Sequence, residues 1–105
     1  MMPDENRSRF RIREADLHRH LRARMSQRGV TRQEVERTLN DGWVALDAKP
    51  GTAGKVCIFS YGNVWEGRFF EEKEVTVYYK IVDQVIVLLT VKARYGRDFA
   101  RGNAS

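Results

Sequence analysis

Residues 20–35, His-Leu-Arg-Ala-Arg-Met-Ser-Gln-Arg-Gly-Val-Thr-Arg-Gln-Glu-Val, constrain the fold of this chain more than any other stretch. They read as the end of one helix, a tight break at Gly29 and the start of a second helix. Thr31 and Glu34 form a capping box, in which the hydroxyl accepts a backbone N–H of the new helix and the carboxylate reaches back to the cap residue. Val30 and Val35 occupy the two positions of a hydrophobic staple, so the helices meet at a defined angle. The signal is structural. No catalytic or metal motif in the chain is specific enough to name a reaction.

The first helix is expected over residues 14–27. At about 100° per residue, Leu17, Leu21 and Met25 make its apolar stripe, and His20, Arg24 and Arg28 follow one another along the border. Arginine stems at such a border lie on the core while their heads reach water, so these residues fit either a snorkelling border or an anion site. His18 and His20, two apart on a helix, point about 200° apart and cannot share one metal ion. The second helix is expected over residues 32–40, with Val35 and Leu39 facing inward, ending where Gly42 can take the left-handed conformation.

Ahead of the helices, residues 9–13 alternate Arg-Phe-Arg-Ile-Arg, which sets Phe10 and Ile12 on one side of an edge strand or arm. After the helices the pattern turns to strands. Residues 43–46 suit a short strand, and residues 49–54 a turn, because their glycines lack the Gly-Lys-Ser/Thr ending and the following helix of a phosphate loop. Further strands are expected at 56–59, around 65–70, at 74–81 and at 85–94, with turns at 61–63 and 71–73. A three-residue loop, Val82, Asp83 and Gln84, would pair Ile81 with Val85, Tyr79 with Val87, Val77 with Leu89 and Val75 with Val91, making one face wholly apolar. The other face then carries Lys80, Tyr78, Thr76 and Glu74 opposite Ile86, Leu88, Thr90 and Lys92. A two-residue loop would mix polar and apolar on both faces.

The expected fold is therefore α+β, two N-terminal helices packed on one face of an antiparallel sheet of about four strands. The second sheet face, with Tyr78, Lys80, Thr90, Lys92 and Arg94, is expected to be less covered and basic. A chain of 105 residues makes one domain. We expect a flexible basic arm at 1–13, the domain at 14–98 and a flexible tail at 99–105.

The net charge of +5 is mostly arginine, whose planar fork suits bidentate phosphate contacts. RNA or an acidic protein is thus favoured as a partner over a neutral metabolite; a basic surface kept for solubility is the plainer alternative. Cys57 stands alone, so it makes no internal disulfide and no thiolate metal site, and it suits a reducing compartment. No leader-like apolar stretch and no window of membrane-spanning length is present, so a cytoplasmic protein is expected. No metal or cofactor is implied.

The motif His20, Arg24-Met25, Arg28-Gly29, Val30, Thr31 and Val35 resembles the opening of domain-of-unknown-function family 4258. The strand over residues 85–91, with Thr90 near its end, is similar to that family's last strand. That resemblance implies a fold and no activity. More remotely, the order of elements, together with Ala93-Arg94, looks like the RelE/ParE and BrnT ribonuclease toxins, an analogy of topology alone.

Three readings of function follow. A metal-independent endoribonuclease, the toxin half of a toxin–antitoxin pair, needs a base for the ribose 2′ proton, cations on the phosphate and a proton donor. His20 is the candidate base, Arg24, Arg28 and Arg94 the clamp, and Tyr78 or Tyr95 the stacking or donor group. Its difficulty is that His20 belongs to a helix on one sheet face while Tyr78, Lys92 and Arg94 look the other way. A non-catalytic RNA-binding module needs only the arginines, with Tyr78, Lys92 and Tyr95 for stacking and phosphate contacts. The third is a structural or oligomerising domain, such as a homodimer, in which Arg24 and Arg28 pair with Glu34 or Glu36.

Overall fold

A computed structural model of the chain describes residues 9–102. Positions 1–8 of the expected arm and 103–105 of the expected tail lie outside the described residues. Two helices, α1 (Arg19–Arg28) and α2 (Arg32–Asp41), pack on one face of a four-stranded antiparallel sheet. Its strands β1 (Trp43–Val44), β2 (Ala53–Trp65), β3 (Arg68–Val82) and β4 (Val85–Gly96) lie side by side in chain order.

The helix junction forms as its sequence dictates. Glu34 N–H donates to Thr31 Oγ1 at 3.1 Å and Thr31 N–H to Glu34 Oε1 at 3.0 Å, closing the capping box. Gly29 has φ 71°, and the Gly29 and Val30 amides bond back to Ser26 and Met25, the left-handed ending that satisfies free carbonyls. Val30 and Val35 are both buried. Gly42 ends α2 differently from expectation. Its φ of −80° is ordinary, and glycine is required because a Cβ would strike the Val56 carbonyl and lie 2.6 Å from that of Thr38.

The first helix is shorter than expected. Residues Glu14–Asp16 form a single 3-10 turn, and α1 begins only after His18. His18 Nδ1 accepts the Leu21 amide at 3.2 Å while its Nε2 lies 3.0 Å from the Leu88 carbonyl. Those two partners require the proton on Nε2, which donates to Leu88. The histidine is thus the N-cap, and Leu17, Leu21 and Met25 still turn inward.

Two turns expected inside the sheet are strand. The chain runs unbroken through residues 61–63, with a bulge between Ser60 and Asn63, and through residues 71–73. The reversal lies instead at Glu66 and Gly67, both at positive φ. Two of the polar residues in this part of β3 find partners: Lys73 turns inward to the Gly29 carbonyl and to Glu34 Oε1 (2.7 Å), and Glu72 takes the Phe99 amide and Arg101, while Glu71 stays exposed.

The hairpin register also differs. Val82 pairs with Val85 across a two-residue turn, with Asp83 and Gln84 both at positive φ, the geometry that matches strand twist. Tyr79 then faces Leu88, but Tyr78 faces Thr90, so Leu89 is an extra residue. This bulge resolves the objection to a short loop. It resets the alternation of β4, so that Ile86 and Leu88 before it and Val91 and Ala93 after it share the helix-facing side.

The core joins Ile12, Leu17, Leu21, Met25, Val30, Val35 and Leu39 to Val75, Val77, Tyr79, Leu88 and Val91. Residues 9–13, expected within a flexible arm, are fastened to α2. Asn40 exchanges hydrogen bonds with the Phe10 backbone (2.6 and 2.9 Å), Glu36 accepts the Ile12 amide (2.9 Å) and Arg32 donates to the Ile12 carbonyl (2.7 Å). One helix face thereby stands in for a strand partner. Residues 99–102 of the expected tail likewise cross the open face, with Phe99 and Arg101 on Glu72 and Gly102 against Trp43.

Candidate nucleic-acid interface

The face of the sheet away from the helices carries a regular grid. One row across the strands is Trp43, Val56, Thr76 and Lys92; the next is Ile58, Glu74 and Arg94; on the other side lie Gly54, Tyr78 and Thr90. Rows are about 7 Å apart and columns about 5 Å. Between the β1 side and β4 lies a groove of about 770 Å³, floored by Val56 and Thr76 and bordered by Trp43, Asp47, Lys92 and Arg94. A second depression of about 390 Å³ continues past Asp47 and Lys92 to Tyr78, Thr90 and Lys49.

Arg28, in the last turn of α1, lines the same groove. It belongs to a helix on the opposite face, and reaches the groove because α1 packs against β4, the edge strand. Of the sequence candidates, the structure therefore gathers Arg28, Lys92 and Arg94 around one concavity, with Tyr78 beside it.

The two cations that border the groove are matched. Lys92 Nζ donates to Asp47 Oδ2 at 2.9 Å, and the Tyr78 hydroxyl donates to the same carboxylate at 2.8 Å. Lys92, then Tyr78, holds the Asp47 carboxyl below its ordinary range. Arg94 makes a two-pronged pair with Glu74 (2.9 and 3.1 Å) and lies over the Phe99 ring at 4.6 Å. The charge of Lys92 and Arg94 is thus balanced at the groove, while Lys80, further along β3, is exposed and makes no ion pair among the described residues. Glu74, expected opposite Lys92, pairs instead with Arg94 because the bulge shifts the register; Asp47 is the residue sequence reasoning misses, since it lies in a loop with no local sign of its partner.

The other candidates lie elsewhere. His20 is exposed at the start of α1, its ring parallel to that of His18 at 6.5 Å. His18 fixes that end of the helix at Leu88, about 20 Å along β4 from Arg94 by strand rise, so His20 and Arg94 are not brought together. Arg24 is half-buried in the middle of α1. Tyr95 faces the helices: its hydroxyl donates to the Arg28 carbonyl at 2.6 Å and its ring stacks on Trp65 at 4.9 Å. Burial pushes its phenol up to about 12. It fixes the end of α1 and cannot face a substrate in the groove.

The densest run of cations without ion-pair partners lies on α1. That helix contains Arg19, His20, Arg22, Arg24 and Arg28 and no carboxylate. Among the described residues only Arg22 of these makes an ion pair, with Glu14 at 3.0 Å. Glu34 and Glu36, once expected to pair with Arg24 and Arg28, are engaged by Lys73 and Arg32. No three His, Cys, Asp or Glu side chains converge as a metal site among the described residues, and no helix there is long and apolar enough to cross a membrane.

Comparison of the chain with protein-family models, with curated proteins and with solved structures gives no match.

Proposed function

We propose that this protein is an RNA-binding module that grips the phosphate backbone with α1 and leads it, through Arg28, to the groove on the open sheet face. The observation that carries this reading is the charge of α1, whose Arg19, Arg24 and Arg28 make no ion pair among the described residues and which holds no carboxylate. Arg24 and Arg28, one turn apart, share a side of the helix, and free guanidinium groups spread over a helix favour a polyanion over a compact ligand. Arg28 joins that side to a concavity large enough for a nucleotide.

Cleavage has less support. A ribonuclease site needs base, clamp and acid around one phosphate, whereas His20 stands at one end of α1 and Arg94 lies on the other face, held by Glu74. The resemblance of residues 20–35 to the domain-of-unknown-function family fits either activity.

The test is fluorescence anisotropy of a labelled single-stranded RNA across a salt series. Three or four phosphate contacts give a slope of log affinity against log salt of roughly −2 to −3. The double variant Arg24→Glu, Arg28→Glu should weaken binding at least about tenfold and flatten that slope. Absence of binding at low salt, or indifference to this double reversal, would overturn the reading.

A further inference from the structure

We propose that the groove selects guanine, read by the Asp47–Lys92 pair; this rests on the RNA-binding reading above and names the base that its site takes. Asp47 offers two carboxylate oxygens with about four lone-pair positions. Tyr78 and Lys92 together occupy part of that capacity, and the Asp47 side chain remains 59% exposed. Lys92 has three ammonium donors, spends one on Asp47 and is itself 55% exposed. The wall of the groove therefore presents two acceptor positions beside a donor.

Among the four RNA bases, guanine alone carries two adjacent donors, N1–H and the N2 amino group, next to an acceptor, O6. A carboxylate can take both N–H groups while an ammonium beside it gives a hydrogen to O6. Adenine and cytosine each set a ring-nitrogen acceptor against the carboxylate. Uracil flanks its single N–H with two carbonyl oxygens, both repelled by it. The acceptor–acceptor–donor order thus matches one base.

The rest of the groove suits this docking. Val56 and Thr76 form a floor two strands wide, three inter-strand spacings from Trp43 to Lys92, broad enough for a flat ring system. Leu46, 96% exposed, stands at the rim. Arg28 lines the same groove and has no carboxylate partner among the described residues, so it is free for the adjoining phosphate. The Arg94–Glu74 pair completes that side with charges already matched to each other.

The experiment compares two labelled, unstructured single-stranded RNAs, one with isolated guanosines and one with adenosines at the same positions, against the intact protein and against Asp47→Asn. We expect the parent to prefer the guanosine RNA by at least about fivefold, the discrimination of a good bidentate base contact. In Asp47→Asn the preference ratio should fall to near one; the ratio is the readout, because loss of the carboxylate raises affinity for any RNA. An RNA with xanthosines at those positions, whose C2 carbonyl can accept from the new amide, should gain on guanosine in the variant. Equal affinity of the parent for both RNAs, or a preference that survives in Asp47→Asn, overturns the inference and leaves RNA binding standing. Failure of either RNA to bind overturns both.

Discussion

Two lysine–carboxylate pairs in this molecule have almost the same geometry and opposite surroundings. Lys73 Nζ lies 2.7 Å from Glu34, and Lys92 Nζ lies 2.9 Å from Asp47. Both ammonium groups also face tyrosine rings, Lys73 between Tyr61 and Tyr95 at 5.6 and 5.7 Å, and Lys92 over Tyr78 at 5.3 Å. The Lys73 side chain is 3% exposed, whereas that of Lys92 is 55% exposed. Distance alone would rank them together, but solvent separates them. In the first pair the ammonium has almost no water to replace a lost partner, so it holds the helix junction to the sheet. The second can exchange its partner for water or for a ligand, which is what a recognition group must do.

The comparison is broken most forcefully at Lys73. Replacing it with Met leaves the Glu34 carboxylate and the Gly29 carbonyl without their shared donor, and should cost about 3 kcal/mol in urea denaturation. Adding Glu34→Gln should recover part of that loss, since the uncompensated charge goes with it. A loss below about 1 kcal/mol at Lys73 would mean that the pair behaves as a surface contact.

An intermediate case is Tyr95, whose hydroxyl bonds the last turn of α1. Tyr95→Phe should lower stability by about 1 kcal/mol at neutral pH. The phenol is held up to about 12 from its ordinary 10. The folded chain therefore keeps a proton that the unfolded chain has lost between these values, and the parent loses stability as pH rises through them. Denaturation midpoints of parent and variant should accordingly converge over that window. A gap that stays constant with pH would show that the phenol is not buried as described.

The smallest effect belongs to Lys92. Lys92→Met should leave the denaturation midpoint within the scatter of the parent at both low and high salt, while altering the choice of RNA. A loss of stability like that at Lys73 would erase the distinction between the two pairs.

The same contrast governs what could be read from the sequence. The Thr31–Glu34 box, the Gly29 ending and the stripe of Leu17, Leu21 and Met25 were legible because each depends on neighbours within a turn or two. From these, two helices on a sheet followed. Lys73 was placed in a turn because a lysine after two glutamates looks solvated; its partners, Gly29 and Glu34, lie far away in the chain. The start of α1 was set too early, since nothing local shows that His18 would use both ring nitrogens on backbone groups. On the open face, Tyr78, Lys92 and Arg94 were correctly grouped. Glu74 as a partner for a cation on that face was legible, but that the bulge hands it to Arg94 and leaves Lys92 to Asp47 was not, because it depends on the Leu89 surplus and on a distant loop.

The extra residue in β4 has a consequence for how such a chain can change in length. A strand ordinarily tolerates no single-residue insertion, because its alternation of sides turns over beyond that point. Here the ladder is already one residue long at Leu89, and the bulge has absorbed the surplus. A chain lacking Leu89 would run from Leu88 to Thr90 in plain alternation, with Ile86, Leu88, Val91 and Ala93 all still directed at the helices. A chain lacking Val87 would close the bulge as well, with Leu88 opposite Lys80 and Leu89 in the inward place opposite Tyr79. Loss of one residue near this point is thus absorbed by the bulge, beside Thr90 and Tyr78, where it can reshape the rim of the groove while the strand beyond keeps its faces.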